Sequence, residues 1–467
     1  MYDNRDNIDF ARESIGPLFA RIFFPTLLGM LFSMAFIFTD GIFVGHGIGG
    51  HGLAAINLIG PLMMIINGLG MMLGVGVSVV AAIHLAQNNV KAARINVTQA
   101  FATGIATSFA MGLLCYLFPD TVLGLLGVDG GLYAHAREYY VWFIPTCLFN
   151  MISGIGLFAI RLDGAPRFAM LSNIIPAVVN IILDYVFIFP CQWGLMGASL
   201  ATDIGGFVGT CMVIYYMAFR AKTLRFYRLK ASTTSLRLMG RNVGYMVRVG
   251  FSGLLGELAV AVMMLAGNMA FIKHIGDDGV AAYSIACYMF PLVYMICNAV
   301  AQSAQPIVSY NHGAGKHTRV HRTLGFSLGV AALIGVAVSL LFILFSPAVV
   351  SCFLDREASA YGIAAAGLPY YGSGFFFLAV NICIVGYMQS IERAKAATVF
   401  TLLRGIVFLV AAFALLPGVA GTKGLWLSVP CAEMLTTLVI ATYVLVVHPQ
   451  ERIKKKISPQ KQETGTE

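Results

Sequence analysis

Residues 220–248 read RAKTLRFYRLKASTTSLRLMGRNVGYMVR and decide how the rest of the chain is organised. This stretch contains eight Lys and Arg residues but neither Asp nor Glu, and long apolar segments lie on both sides of it. Because cationic side chains resist translocation, a basic loop between membrane spans stays on the cytoplasmic face. The sequence therefore predicts two membrane halves that are joined by a cytoplasmic connector.

The composition is typical of a polytopic membrane protein. The chain is 58% hydrophobic and 11% charged, with a mean hydropathy of +0.81. A soluble protein could not bury that much apolar surface. The net charge of +9 does not indicate nucleic-acid binding, because most of the cations follow the positive-inside pattern. With the spans given below, four of the 30 Lys and Arg fall on the outer side: Arg137, Lys273, Arg356 and Lys423.

Neither a cleavable leader nor a metal centre is expected. The first sixteen residues, MYDNRDNIDFARESIG, are polar and acidic, whereas a secretory signal has a basic start and a short apolar core. The nine cysteines are scattered through or beside apolar spans without a C-x-x-C pair. We interpret them as packing residues rather than disulfides or metal ligands, and we expect no cofactor.

Apolar runs of about 20 residues or more predict twelve transmembrane helices. They fall at about 17–45, 52–83, 95–118, 136–160, 167–190, 195–219, 242–274, 280–309, 320–347, 361–388, 396–416 and 424–447. The expected fold is an all-α integral membrane protein of two pseudo-symmetric six-helix lobes. Its predicted parts are an N-terminal segment (1–16), an N-lobe (17–219), the connector (220–241), a C-lobe (242–447) and a basic tail (448–467). An even number of spans places both termini in the cytoplasm, and the expected location is the cell membrane.

The two halves resemble each other at a constant offset of 227 residues. Ile48–Ala55 (IGGHGLAA) aligns with Ile275–Ala282 (IGDDGVAA), and Gly194-x-x-Gly197 aligns with Gly421-x-x-Gly424. Each pair falls in the same outer loop of its half, which favours a duplicated six-helix unit. Parallel repeats of this kind occur in transporters, with a binding site between the halves. The alternative is a chance match, because Gly and Ala are common.

Acidic residues inside the predicted spans are the strongest functional signal. Each costs on the order of 3 kcal/mol at mid-membrane and therefore needs a partner or a watery cavity. At ~1.5 Å per residue, Asp40, Asp184 and Thr202 lie at one depth, about one and a half to two turns below the outer surface. Asn180 lies one helical turn from Asp184 on the same face. The five embedded acids are Asp40, Asp184, Asp203, Glu257 and Glu433.

This group of oxygens predicts a proton or cation site. Oxygen ligands suit a hard ion such as Na⁺, and two neighbouring carboxylates in a dry pocket are expected to share a proton and to titrate as a pair. The alternative for Asn180 and Thr202 is that they hydrogen-bond neighbouring helices to each other.

Several other residues are candidates for a central cavity. Glu257, near the middle of helix 7, and Asn381, in helix 10, are expected to face it. The roles of Asp203 and Glu433 stay open: Asp203 should point away from Thr202, and Glu433 is expected to bond backbone groups freed by Pro430. An adaptable apolar wall is predicted from four side chains, which could instead face lipid: Met63, Met64, Phe290 and Met295.

Five motifs occur in a characteristic order along the chain. They are Thr39–Val44 (TDGIFV), Arg161–Pro166 (RLDGAP), Asn180–Asp184 (NIILD), Gly197–Thr202 (GASLAT) and Gln305–Ala314 (QPIVSYNHGA). With these motifs, the chain from about residue 14 to 447 resembles the multidrug and toxic compound extrusion (MATE) family, nearer its bacterial MepA-like branch.

The resemblance implies two lobes that alternate between outward-open and inward-open states and exchange a drug for H⁺ or Na⁺. It also implies that Pro25 corresponds to a helix 1 proline, linked in some members to a protonation-dependent bend. Glu257 matches a helix 7 carboxylate of another branch, and that branch has an Asp where this chain has Asn381. Because Asn381 replaces that Asp, the second lobe lacks this carboxylate pair, which favours ion coupling through the first lobe. The family's amino-lobe coupling site matches Asp40, Asn180, Asp184 and Thr202.

The sequence therefore predicts a secondary active multidrug efflux transporter that exports amphipathic organic cations, drugs and dyes, in exchange for H⁺ or Na⁺. We expect a monomer in the lipid bilayer, with no nucleic-acid partner. One alternative is a lipid-linked saccharide flippase of the same superfamily, but an anionic cargo calls for cationic cavity walls, whereas the embedded charges are interpreted as acidic. A more distant alternative, an intramembrane enzyme, would need a nucleophile–base pair or a metal cluster at one depth, and neither is found.

Overall fold

A computed structural model describes residues 8–128, 132–229 and 232–457, and the regular elements within these ranges are helices. The first half contains α1 (Ile15–Gly47), α2 (Gly50–Ala86), α3 (Val90–Leu117), α4 (Pro119–Leu125), α5 (Tyr133–Phe143), α6 (Thr146–Leu162), α7 (Pro166–Ile188) and α8 (Gly194–Tyr215). The second half contains α9 (Thr233–His274), α10 (Asp277–Gly313), α11 (His317–Leu344), α12 (Ser346–Ser351), α13 (Ser359–Gly372), α14 (Phe375–Ser390), α15 (Ala394–Leu402) and α16 (Phe408–Ile457). Two π-helical turns, Tyr216–Arg220 and Leu403–Val407, follow α8 and α15.

The helices account for twelve membrane spans. Within the described ranges, nine helices are long and apolar enough to cross a membrane, and two bent pairs raise the number to eleven. The pairs are α5 with α6, bent by 50°, and α13 with α14, bent by 44°. The ninth candidate, Ala394–Val446, has 53 residues and is interrupted at Gly421. At ~1.5 Å per residue it is too long for one crossing of about 30 Å, so it comprises two spans and the twelve-helix prediction is confirmed.

Some predicted boundaries shift. Helix α9 begins at Thr233 rather than near 242, because the Ser232 hydroxyl caps it by accepting the backbone N–H of Ser235 at 3.2 Å. The predicted connector, 220–241, is therefore partly helical. Its residues 230–231 lie outside the described residues, as do 1–7 of the N-terminal segment and 458–467 of the tail.

The backbone repeats at the same 227-residue offset as the sequence. Left-handed φ angles favour glycine and mark sharp turns, so their positions identify corresponding loops. Matching left-handed positions are Gly49 (φ 97°) with Gly276 (φ 89°), Asn88 (φ 59°) with Gly315 (φ 69°), and Gly194 (φ 58°) with Gly421 (φ 57°). Three matching turns confirm that the two lobes are copies of one six-helix unit.

The two lobes pack together along α2 and α9, on the side of the molecule where the connector lies, which we term the connector side. Two glycines permit this contact. A Cβ atom at Gly76 would lie 2.1 Å from the carbonyl oxygen of Met246, and one at Gly250 would lie 1.8 Å from that of Met72. Backbone therefore meets backbone, and the lobes are closed against each other on the connector side.

Asp163, in the turn between α6 and α7, anchors the start of the connector. Its carboxylate accepts the backbone N–H groups of Lys222 at 3.0 Å, Thr223 at 2.9 Å and Leu224 at 2.8 Å. The hydroxyl of Tyr216 donates to it at 2.9 Å. Charge-assisted bonds of this kind are stronger than neutral ones. The Asp of the RLDGAP motif therefore holds the connector against the N-lobe.

We expect Asp163→Ala to destabilise the protein by on the order of 2 kcal/mol, because three backbone donors would lose their acceptor. The measurement is the melting temperature of the purified protein in detergent. The melting temperature of Asp163→Asn should lie between those of the wild type and Asp163→Ala, since one side-chain oxygen remains as an acceptor. Asp355→Ala removes an exposed aspartate and serves as the control. Equal melting of the Asp163 and Asp355 variants would show that the anchor contributes nothing.

Candidate functional site

The structure brings together the four residues predicted to form the coupling site. Asp40 comes from α1, Asn180 and Asp184 from α7, and Thr202 from α8. Asp184 and Asn180 are 0% and 3% exposed. The Nδ2 group of Asn180 donates to the Thr202 hydroxyl at 3.3 Å, and the carboxylates of Asp40 and Asp184 interact electrostatically. These four residues are termed the N-lobe cluster.

Small residues allow the three helices to approach closely at the N-lobe cluster. A Cβ atom at Gly205 of α8 would lie 3.0 Å from the carbonyl oxygen of Pro176 and 3.1 Å from Cβ of Asn180 in α7. About three turns from the cluster, a Cβ atom at Gly29 of α1 would lie 3.1 Å from Nδ2 of Asn173, so α1 and α7 also pack closely along their length. Close packing of α1, α7 and α8 therefore positions polar groups from three helices in one pocket.

The N-lobe cluster contains oxygen atoms without a counter-charge. Asp40 Oδ1, Asn180 Oδ1 and both carboxylate oxygens of Asp184 are buried without a hydrogen-bond partner among the described residues. Burying an unpaired carboxylate costs several kcal/mol or more, so such groups are neutralised or paired. Oxygen acceptors without a fixed cation fit a proton or a hard cation such as Na⁺.

Tyr139 of α5 joins this cluster and was not found from the sequence. Its buried hydroxyl interacts with the Thr202 side chain and lies within electrostatic reach of Asp40 and Asp184. The sequence does not distinguish Tyr139 from a packing residue, because a tyrosine in an apolar segment usually has that role. The bend between α5 and α6 sets its direction, and that bend cannot be read from hydropathy.

Asp203 stabilises the bend itself. Its carboxylate accepts a hydrogen bond from the hydroxyl of Thr146, the first residue of α6, and it also bonds with the Thr146 backbone. A carboxylate at a helix N-terminus satisfies free N–H groups there. Asp203 therefore has partners, unlike the acids of the N-lobe cluster.

Glu433 is paired with a buried cation rather than with backbone freed by Pro430. Its Oε1 atom lies 3.0 Å from both Nε and Nη2 of Arg404. Its Oε2 atom accepts from Nδ2 of Asn381 at 2.7 Å. Because Arg404 supplies the counter-charge, the charge of the Glu433 carboxylate is compensated inside the C-lobe.

Asn381 belongs to this C-lobe network and not to the cavity wall. It is fully buried, and its Oδ1 atom accepts from the Thr437 hydroxyl at 2.9 Å. Asn381 therefore does not line either cavity described here, and its role in a substrate cavity stays a prediction. An amide suits this position, because it donates to Glu433 where an aspartate would repel it.

Arg404 corrects the interpretation that the embedded charges are acidic. It is 5% exposed and lies in the π-helical turn Leu403–Val407, where the extra residue changes the direction of side chains. A second arginine, Arg161 of α6, is also buried and donates to Oε1 of Gln302 in α10 at 2.6 Å. The sequence held a usable signal, since Arg404 is the one cation in the predicted span 396–416.

A cavity of about 40 Å³ lies between the lobes. Met71 and Phe158 line it from the N-lobe, and the bond from Arg161 to Gln302 joins the lobes beside it. The cavity has room for roughly three water molecules or a group of that size. Its polar wall consists of Ser252, Tyr294, Asn298, Gln302, Gln305, Gln389, Thr401 and Arg404.

Glu257 and Phe290 lie next to residues that line this cavity, and their role in a substrate cavity stays a prediction. A Cβ atom at Gly68 of α2 would be 3.4 Å from Cβ of Glu257, which places Glu257 where the lobes meet. Phe290 stacks on Tyr294 with ring centroids 6.1 Å apart. It also lines a second, smaller cavity beside Arg404.

The remaining predicted residues do not gather at one place. Met63 lies in an N-lobe packing cluster, where its sulfur contacts Nδ2 of Asn150 at 3.7 Å. Met64 packs against the main core, and Met295 is half-buried in α10. Pro25 lies inside α1, which is one uninterrupted helix in this structure, so its role in a bend stays a prediction.

A titratable cluster lies on the connector side, outside the spans. Glu392, in the turn between α14 and α15, accepts a hydrogen bond from the Tyr245 hydroxyl and lies 3.6 Å from Nε2 of His312. Bonding to His312 and Tyr245 holds the pKa of Glu392 below its usual range. This pairing links α9, α10 and the α14–α15 turn on the closed side.

Comparisons with known proteins agree with this architecture. The MatE family matches residues 25–186 and 253–413. The multidrug export protein MepA of Staphylococcus aureus (strain NCTC 8325 / PS 47) is 23% identical over 421 residues, which cover 89% of this chain and 90% of that protein.

Two solved structures share the fold. An outward-facing multidrug resistance MATE family transporter of the MOP superfamily superposes with a TM-score of 0.82 at 22% identity, covering 92% of this chain and 95% of that one. A MOP superfamily transporter from Pyrococcus furiosus, whose binding pocket of reverse polarity suggests a different function, gives 0.85 at 21% identity, covering 96% and 97%.

Proposed function

This chain belongs to the MatE family of membrane transporters, and on that premise we propose that it is a secondary active multidrug efflux transporter, which exchanges amphipathic organic cations for H⁺ or Na⁺. The observation that carries the proposal is the set of buried oxygens without partners on Asp40, Asn180 and Asp184. A proton or Na⁺ would compensate their charge, and its gradient would supply the energy.

The packing supports alternating access. The lobes are closed on the connector side, which the basic sequence of the connector predicts to be cytoplasmic, and we propose that this side stays closed while substrate is released outward. Entry of a proton or Na⁺ from outside would relieve repulsion between Asp40 and Asp184. The cluster would then favour a different arrangement of α1.

Helix α1 connects the N-lobe cluster to the other lobe. Asp40 lies near the C-terminal end of α1, and the segment that precedes α1 is bound by the C-lobe. The side chains of Asn311 and Arg319 donate to the carbonyl oxygen of Phe10 at 2.9 Å and 3.1 Å. A bend near Pro25 would lie between these two ends. We propose that occupancy of the N-lobe cluster changes α1 and, through it, the closure of the lobes.

A second candidate function rests on the buried arginines. Arg404 lines the inter-lobe cavity and Arg161 bonds Gln302 in its wall, which weakens the sequence argument against an anionic, lipid-linked saccharide as cargo. However, the Arg404 charge is balanced by Glu433, and the charged groups of the N-lobe cluster are both carboxylates. Drug/cation exchange therefore remains the better-supported proposal.

Reconstitution into liposomes tests the proposal. We expect an ethidium-like dye to move against its gradient when a H⁺ or a Na⁺ gradient is imposed alone, and to stay put without either, because the N-lobe cluster needs an ion to cycle. The gradient that works identifies the coupling ion. Absence of dye transport under both gradients, in liposomes that contain the inserted protein, would contradict drug export. Movement of a fluorescent lipid-linked saccharide in its place would favour the second candidate.

A further inference from the structure

We propose that Arg404 is the docking point for an anionic group, such as a carboxylate, of the transported molecule. This inference rests on the proposed function, because it concerns what the inter-lobe cavity of an exporter binds. It assigns a role to a side chain that the coupling scheme does not use.

The guanidinium group of Arg404 is held in one orientation. Nε and Nη2 bind Oε1 of Glu433 at 3.0 Å each. Glu433 is in turn fixed by Asn381, which donates to its Oε2 atom at 2.7 Å and to its carbonyl oxygen at 2.9 Å. Thr437 completes the network by donating to Asn381 Oδ1. A planar donor supported in this way is pre-organised for a carboxylate.

One edge of the guanidinium group remains for a ligand. Glu433 engages Nε and Nη2, so Nη1 is the donor that faces away from it. Arg404 contributes to the wall of the inter-lobe cavity and to that of the smaller cavity inside the C-lobe, in both cases beside Tyr294 and Gly256. The charged end is therefore buried from lipid and bulk solvent but borders the space between the lobes.

The surrounding groups fit a small polar anion. Gln389 donates to the Ser252 hydroxyl at 2.7 Å, so this part of the wall is already ordered. Asn298 brings a further side-chain amide to the same cavity, whereas the Thr401 hydroxyl donates to the Ala397 carbonyl oxygen at 2.9 Å. A carboxylate is about the size of the space, which holds roughly three water molecules.

Opposite charges flank one aromatic ring in this region. The Arg404 guanidinium lies 5.9 Å from the centroid of Tyr294, and Tyr294 interacts electrostatically with both Glu257 and Arg404. Phe290 extends the aromatic surface by stacking on Tyr294. A flat molecule with an amine at one end and a carboxylate at the other would meet Glu257 and Arg404 at the same time.

The π-helical turn gives an independent reason to assign a ligand role. Such turns are rare and are found frequently at functional sites. A Cβ atom at Gly405 would lie 2.3 Å from Cβ of Ala259, so the turn is pressed against α9 at the cavity. A buried ion pair is by itself weak evidence for stability, since apolar residues of similar volume often serve as well.

A matched pair of dyes tests the site. Rhodamine B carries a free carboxylate, and its methyl ester is the same cation without one. We would measure the affinity of each dye by fluorescence anisotropy, using full-length protein in nanodiscs. The ratio of acid affinity to ester affinity isolates the contribution of the carboxylate.

Two variants should move this ratio in opposite directions. Glu433→Gln keeps the Arg404 donors but removes the balancing charge, so the ratio should rise about threefold or more. The double variant Arg404→Gln with Glu433→Gln removes the cation without leaving a lone buried carboxylate, and its ratio should fall about tenfold below that of Glu433→Gln.

A double variant whose ratio stays within about twofold of that of Glu433→Gln would overturn the site. If the double variant does not fold, Glu433→Gln alone decides, because a fall or no change in its ratio contradicts the proposal. Ester efflux by wild-type protein in liposomes is scored separately. Its absence would refute drug export, whereas unchanged ratios beside intact ester efflux would refute only the anion site.

Discussion

Asp40→Asn and Asp184→Asn should each nearly abolish gradient-driven efflux, and the double variant should be little worse than either alone. The reason is the shared pocket: the two carboxylates interact electrostatically, and three of their oxygens are buried without partners among the described residues. Groups that act as one unit are non-additive. We expect each single loss to exceed about tenfold in initial efflux rate, measured in liposomes under the gradient that drives the wild-type protein.

A neighbouring carboxylate provides the control. Asp203 is in the same lobe, but its oxygen accepts from Thr146, and an asparagine would still accept that bond. Asp203→Asn should therefore retain most of the efflux. Single variants of Asp40 and Asp184 that keep most transport, or losses that multiply cleanly in the double variant, would show that the pair is not the coupling unit.

Gly250→Ala should stop transport by preventing closure of the connector side. The added Cβ would lie 1.8 Å from the carbonyl oxygen and 2.7 Å from the carbonyl carbon of Met72. Neither atom can rotate away, because both belong to the α2 backbone. The lobes must then stay apart on this side, and the efflux rate should fall by on the order of tenfold or more.

A distance measurement separates failed closure from failed folding. Spin labels at the exposed positions Lys91 and Lys395, in a cysteine-free background, report the separation of the lobes by pulsed electron spin resonance. The Gly250→Ala distances should lengthen. Gly244→Ala, on the same helix but with no atom within 4 Å of the added Cβ, should match the wild type. Identical distances in both variants would refute the close contact as the basis of closure.

The sequence predicted those features that depend on one helix at a time. Hydropathy located the spans, and the rise per residue placed Asp40, Asp184 and Thr202 at one depth before any contact between helices was known. Left-handed glycines follow from short loops whose sequence repeats. In each case the information is local or periodic, and the structure agrees.

What the sequence did not predict depends on the direction of side chains between helices. Arg404 and Glu433 are 29 residues apart on consecutive spans, and only packing shows that they face each other. The π-helical turn at Arg404 and the α5–α6 bend, which aims Tyr139 at the cluster, leave no mark in hydropathy. Asn381 was expected at a cavity for the same reason, since polarity in a span does not say which neighbour satisfies it.

The repeat has a consequence for the number of ion-binding pockets in each chain. Both lobes have the same helix order and the same turns, yet the oxygen groups of the N-lobe cluster have no equivalents 227 residues later. An ion would therefore bind directly to one half only. The cluster alone would provide one ion-binding pocket per chain. The residues that occupy the corresponding positions in the second half are Gly267, Val407, Ala411 and Val429.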